Sequence, residues 1–269
     1  MKAAILLLAG MLIASSGVGI VATADLPAAP QRFGGGRGQP NGPPMQATGN
    51  TPYDGRFVFI RVRYDTGFGG FGRRGGGPPW SHDYPRGEMH FMKIMEEITY
   101  LRPRTDGSNI LGLEDPELFN YPVAYMAEPG FWAVSDAQAA NLRAYLQKGG
   151  FIVFDDFRGY DWNNLQAQMQ RVLPDWHWMR VDAGSEAIWH SFFEIPNPLG
   201  LEPPYGGLPP SYWGIYEDND PRKRLVAIAN VNNDISEYWE WSDTGYAPVD
   251  ISNEAYKYGV NYLIYALTH

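Results

Sequence analysis

Residues 135–156 read Ser135-Asp-Ala-Gln-Ala-Ala-Asn-Leu-Arg-Ala-Tyr-Leu-Gln-Lys-Gly-Gly-Phe-Ile-Val-Phe-Asp-Asp156. Ser135 followed three residues later by Gln138 has the form of a capping box, so a helix is predicted to start there and to run through Gln147. Gly149 supplies the left-handed stop that ends such helices. Phe151 to Phe154 then form an unbroken apolar run, too short for a helix and apolar on both faces, as in a strand buried inside a parallel sheet. Helix, glycine turn, buried strand and acidic turn together make one beat of a βαβ rhythm.

The flanking sequence repeats that rhythm. Phe57-Val-Phe-Ile-Arg-Val-Arg-Tyr64 is a β-branched and aromatic run that predicts another buried strand. Phe91, Ile94, Met95 and Ile98 recur at helical spacing, predicting an amphipathic helix over 88–100 that ends before Pro103. Strands are predicted over 122–127, 176–181 and 225–229, and helices over 161–172 and 252–267. Strands separated by crossover helices imply an α/β domain with a mostly parallel sheet covered on both faces. The Pro- and Gly-rich stretch 196–210 is predicted as a long surface loop, an inert excursion or a lid.

Composition narrows the chemistry. The 269 residues carry 21 Lys and Arg against 30 Asp and Glu, a formal net charge of −9, which argues against a nucleic-acid partner. Apolar residues make up 44% of the chain, enough to bury a core. Cysteine is absent, which removes disulfides, thiolate metal sites and a cysteine nucleophile.

Lys2, the apolar run from Ala3 to Ile13, small residues and then Ala22-Thr23-Ala24 have the pattern of a secretory signal peptide. Residues 1–24 are therefore expected to be removed, 25–52 to be a Gly/Pro-rich disordered linker, and 53–269 to form a single α/β domain. The protein is expected to be exported, periplasmic or secreted, with no transmembrane segment after the signal peptide. Two Gly/Arg-rich stretches, 32–38 and 67–77, are read as a tether and a loop.

Several spaced motifs carry a resemblance: Phe59-x-Arg61-x-x-Tyr64, Trp80-x-x-Asp83-Tyr-Pro85, Tyr121-Pro122, the helix–strand segment from Leu142 to Asp156, Tyr238-Trp239-Glu240 and Gly259-Val-Asn261. Together they resemble the bacterial family called domain of unknown function 4159. The resemblance implies a class I glutamine amidotransferase-like fold, a flavodoxin-like three-layer sandwich. It places Asp155 or Asp156 where amidotransferases of that fold carry a nucleophilic cysteine at the end of a strand. A carboxylate cannot replace that thiolate, because the acyl intermediate would be a mixed anhydride. Glutamine amidotransferase activity is therefore not expected.

Acidic residues recur at predicted strand ends, and Asp83, Asp155, Asp156 and Asp234 with Arg158 are expected to approach one cleft at the carboxyl edge of the sheet. Trp80 and Trp239 are its expected walls, and His82, beside Asp83, is the one histidine nominated. Strand alternation would send Asp155 and Asp156 to opposite faces, leaving at most one in the cleft. No histidine pair at ligand spacing and no phosphate-binding loop is present, so no metal site and no cofactor are expected. The leading expectation is a non-catalytic domain binding a protein, small-molecule or carbohydrate ligand. The alternative is a carboxylate-dependent hydrolase acting on carbohydrate.

Overall fold

Side-chain alternation along the strands divides the interior in two. Phe59, Val123, Tyr125, Phe151 and Val153 enter one core, while Val58, Ile60, Ala124, Met126, Ile152 and Phe154 enter another on the opposite face of the same sheet. The computed structural model describes residues 46, 48–67 and 77–269. The signal-peptide reading, nearly all of the linker and most of the Gly/Arg loop after Tyr64 lie outside the described residues.

Seven strands form one sheet in the order β2-β1-β3-β4-β7-β6-β5, with β1 at Ile60–Arg63, β2 at Asn109–Gly112, β3 at Val123–Ala127, β4 at Phe151–Phe157, β5 at Met179–Arg180, β6 at Ser211–Tyr216 and β7 at Leu225–Val231. The first five strands in that order pair parallel; β6 pairs antiparallel with both β7 and β5. The chain is thus α/β with a mostly parallel sheet. Helices α1 (Arg86–Ile98), α4 (Ile235–Glu240) and α5 (Val249–Thr268) supply the first core, and α2 (Asp136–Gln147) and α3 (Asp161–Val172) the second.

The capping box at α2 forms as the sequence predicts, with the Ser135 hydroxyl accepting from the Gln138 amide and the Gln138 side chain accepting from the Ser135 amide. Gly149, at φ 113°, ends the following turn in a conformation that a side chain would strain. Three elements escape the sequence patterns: β2, β6 and the six-residue α4. The strand predicted over 176–181 shrinks to Met179–Arg180 at the antiparallel edge. No helix among the described residues is long and apolar enough to cross a membrane.

The packed chain begins upstream of residue 53. The Asn50 side-chain amide donates to the Ile110 carbonyl and its oxygen accepts from the Ile110 amide, both at 2.8 Å. Asn109 exchanges the same pair of bonds with Thr51, at 2.8 and 3.0 Å. Side-chain amides thereby pair the outer edge of β2, an edge that would otherwise present unpaired backbone groups.

Gly259 explains part of one motif. Its α5 backbone packs against Trp239, whose ring stacks on Phe91 with centroids 4.5 Å apart. A methyl group at residue 259 would sit 2.5 Å from the Trp239 ring and 2.9 Å from Phe91. Gly259→Ala is expected to cost about 1–3 kcal/mol by overpacking, read as a lowered urea midpoint. An unchanged midpoint would show that the two rings yield.

Candidate functional site

A buried ion pair sets the frame. Arg61 is the one charged residue on a strand otherwise apolar through Val62, and it is fully buried. Its guanidinium donates to both carboxylate oxygens of Glu88 on α1, at 2.9 and 2.8 Å. The remaining nitrogen donates to the backbone carbonyls of His82 and Trp80, at 2.8 and 3.3 Å. The arginine therefore satisfies a buried glutamate and pins the β1–α1 loop at the residues that carry His82 and Asp83. The Asp83 carbonyl accepts from the Gly87 amide, joining that loop to the first turn of α1.

At the end of β4 the register shifts between Phe154 and Phe157, and Asp156 takes φ 56°. The simple alternation that would oppose Asp155 to Asp156 is broken there. Asp155 is fully engaged: it accepts from Tyr125 at 2.7 Å, Asn230 at 2.9 Å and the amides of Ile235 and Ser236 at 3.0 and 3.1 Å. It ties three strands to the start of α4. Asp234 caps α4 by accepting from the Glu237 amide at 2.9 Å. The Ser236 hydroxyl contacts both Asp83 and Asp234.

These local structures converge. Single ligand-type atoms of His82, Asp83, Asp156 and Asp234 all lie within 4.8 Å of one another, and the carboxylates belong to side chains that are almost wholly buried. His82 Nδ1 is 2.7 Å from Asp156 Oδ2 and 3.3 Å from Asp83 Oδ1. Even so, all three atoms are buried without a partner of hydrogen-bond geometry. Among the described residues the other orphaned buried atoms are indole N–H groups and one serine hydroxyl, so every ionisable one is here. A second acidic group, Asp83 with Glu237 and Glu240, abuts the first.

The charge is poorly compensated. Asp83 beside His82 holds its imidazolium up to about 12 against the opposing effect of burial. Burial first, and then Asp234, pushes Asp155 up to about 6 and Asp156 well above the usual carboxylate range. Burial and Asp83 raise Asp234 to about 6, while burial and neighbouring acids raise Glu237 to about 8 and Glu240 to about 9.

The 196–210 stretch reaches over this cluster. The Tyr205 hydroxyl contacts Asp234 at 2.8 Å and Glu237 at 3.1 Å, and the Arg158 guanidinium lies 5.1 Å from the Tyr205 ring centre. Between Asp156, Arg158, Tyr205, Leu208, Asn232 and Asp234 there remains about 20 Å³, room for one water-sized body. Left-handed backbone gathers at the same edge: Asp83, Glu128, Asp156 and Asn232 all have φ between 47° and 61°. Such conformations in non-glycine residues concentrate at functional sites.

Of the residues nominated from sequence, His82, Asp83, Asp156 and Asp234 come together and Arg158 lies at the rim. Asp155 is adjacent but spent on structure. Trp239 is not a cleft wall: it is 3% exposed and stacked in the core between Phe91 and Tyr256. Trp80 is half-buried, packs against the opposite core, and contributes only its carbonyl, to Arg61. Sequence reasoning quoted Arg61 and Glu240 within motifs but did not nominate them for the site, nor Glu88, Ser236, Glu237 and Tyr205. A charge inside an apolar strand signalled Arg61, and the Tyr238-Trp239-Glu240 motif lay beside the acids of α4.

The model of the family described as Domain of unknown function (DUF4159) matches residues 58–267. The chain belongs to the DUF4159 family. No curated protein matches it. The match takes in every strand and all but the last residue of α5, so the converging acids lie within the DUF4159 domain.

Proposed function

We propose that this DUF4159 domain is an exported, non-catalytic binding domain that takes a small cationic ligand at the carboxyl edge of its sheet. The observation that carries the reading is the convergence of Asp83, Asp156 and Asp234 with His82 under Tyr205. Three carboxylates in one buried place, with one imidazole against them, favour a positively charged guest.

We read the architecture as an amidotransferase-like, flavodoxin-like three-layer sandwich. Support comes from the parallel order β2-β1-β3-β4-β7, which reverses direction between β1 and β3, and from helical cores on both faces. The left-handed Asp156 at the end of β4 suits the strained elbow on which such folds carry a nucleophile. An aspartate there cannot perform glutamine hydrolysis by a thioester, and the position becomes part of a recognition surface. Export is supported by the Ala22-Thr23-Ala24 pattern behind the apolar run. Carbohydrate hydrolysis is not favoured, because oxygens of Asp83, Asp156 and Asp234 crowd within 4.8 Å of one another, closer than the roughly 5–10 Å that paired glycosidase carboxylates keep.

A thermal-shift screen of the purified protein with metal chlorides, spermidine, arginine and simple sugars tests the reading. At least one cationic compound should raise Tm in the wild type and fail to do so in Asp156→Asn. Stabilisation by sugars alone, equal in both proteins, would overturn it.

A further inference from the structure

We propose that His82, Asp83, Asp156 and Asp234 form the first coordination shell of a divalent first-row cation, with Mn2+ the best match. This inference rests on the reading of the carboxyl edge as a cation-binding site and names the ligand.

An acidic cluster alone would be an unremarkable feature of a negatively charged protein. Here the second observation is the orphaned atoms. Asp83 Oδ1 and Asp156 Oδ2 belong to side chains 0% and 5% exposed, and they meet His82 Nδ1 at ion-pair distances of 3.3 and 2.7 Å in an arrangement that misses hydrogen-bond geometry. Buried carboxylate oxygens are normally bonded. Atoms that approach so closely while their bonding directions miss one another are arranged as ligands around a shared centre would be.

The spacing fits an ion at that centre. On a six-coordinate cation with bonds of ~2.2 Å, neighbouring ligand atoms stand ~3.1 Å apart and opposite ones ~4.4 Å. The two measured separations bracket the first value, and the 4.8 Å envelope of all four atoms admits the second. The carboxylates are braced by neighbouring donors, as ligands to a metal usually are. Ser236 contacts Asp83 Oδ2, the Glu237 amide donates to Asp234 Oδ1, and Tyr205 donates to Asp234 Oδ2. The water-sized space beneath Tyr205 borders Asp156 and Asp234, where a solvent ligand would complete the shell.

The donor set selects the ion. One imidazole with three carboxylates is harder than the sites of copper and richer in nitrogen than those usual for calcium or magnesium, which leaves Mn2+ ahead of Zn2+. Three carboxylates, a neutral imidazole and a 2+ ion leave a net charge of −1 in place of the uncompensated acids.

The test uses the full protein stripped with EDTA, dialysed, and titrated separately with MnCl2, ZnCl2, MgCl2 and CaCl2. Elemental analysis and calorimetry should give one Mn2+ per chain, bound more tightly than Mg2+ or Ca2+. At a hundredfold excess over Kd the ion should raise Tm by about 5–10 °C. Asp156→Asn and His82→Gln, each near in size to the original and checked for fold by circular dichroism, should weaken Mn2+ at least ~10-fold. Absence of binding at millimolar Mn2+, or undiminished affinity in both variants, overturns the assignment. If Mn2+ fails while spermidine stabilises the wild type but not Asp156→Asn, the metal falls and the cation-binding reading stands; if neither stabilises it, both fall.

Discussion

Glu88→Ala is expected to lower the unfolding free energy by about 3–5 kcal/mol, because it leaves the Arg61 guanidinium buried and without its carboxylate. For a domain of this size that corresponds to a loss of roughly 10 °C or more in Tm. Both side chains are at most 1% exposed, and the bond is bidentate, so water cannot take the place of the missing partner. Arg61 also holds the carbonyls of Trp80 and His82. The variant should therefore loosen the β1–α1 loop and weaken ligand stabilisation at His82 and Asp83. Arg61→Met combined with Glu88→Met should recover much of the stability, since an apolar pair of similar volume leaves no buried charge, but it should not restore the loop. Urea denaturation measures the first effect and the thermal-shift response the second. A loss under about 1 kcal/mol for Glu88→Ala would show that the pair behaves as a surface bridge.

In chelator, stability should fall by a few kcal/mol as pH rises from 5 to 9. Glu237 and Glu240 are raised from an ordinary value of 4.5 to about 8 and about 9, chiefly by burial. The folded state then holds protons that the unfolded state has released, so these groups leave stability intact below the ordinary glutamate range and erode it as pH climbs through that range towards 8 and 9. His82 acts in the same direction: raised from 6.5 to about 12, it contributes stability in full below 6.5 and loses it progressively above. The groups acting on these acids include Asp83, Asp234, His82, Tyr205 and Tyr246, and the Arg86 guanidinium donates to the Glu240 carbonyl. Tm measured in EDTA at unit steps of pH should decline across this window, and Asp234→Asn should flatten the decline by removing a charge that raises Glu237. A Tm that rises with pH over the same window would contradict the arrangement of the acids. Bound cation should reduce the slope, because it supplies the charge that the protons otherwise provide.

The two expectations differ in how far the sequence foreshadows them. Local patterns sufficed for the apolar run Phe151 to Phe154, the capping box of Ser135 and Gln138, the helical spacing of Phe91 and Met95, and the glycine stop at Gly149. Each depends on neighbours within a few residues, where periodicity and backbone preference act directly. The order of residues along the chain likewise pointed to strand ends as the place where acids recur, and the resemblance singled out Asp155 or Asp156 among them. β2, β6 and α4 were not legible, because they are stabilised by what they pack against. The Ile110 backbone is paired by the Asn50 side chain, the Asn109 side chain is paired by the Thr51 backbone, and α4 is anchored by Asp155 from β4.

The site belongs to the tertiary structure. His82 comes from the β1–α1 loop, Asp156 from the end of β4 and Asp234 from the turn before α4, so no spacing rule along the chain can register them as partners. Alternation was the wrong guide at Asp155 and Asp156, since a register shift and a left-handed residue intervene there. Trp239 read as a cleft wall because aromatic density cannot distinguish a ring facing solvent from one stacked on Phe91. By itself the sequence determined that acids stand at the ends of buried parallel strands, because hydrophobic runs must be followed by polar turns. Which of those acids meet, and which are tied up in hydrogen bonds, was decided by strand order and by the Arg61–Glu88 pair, long-range contacts that exist only once the sheet has closed.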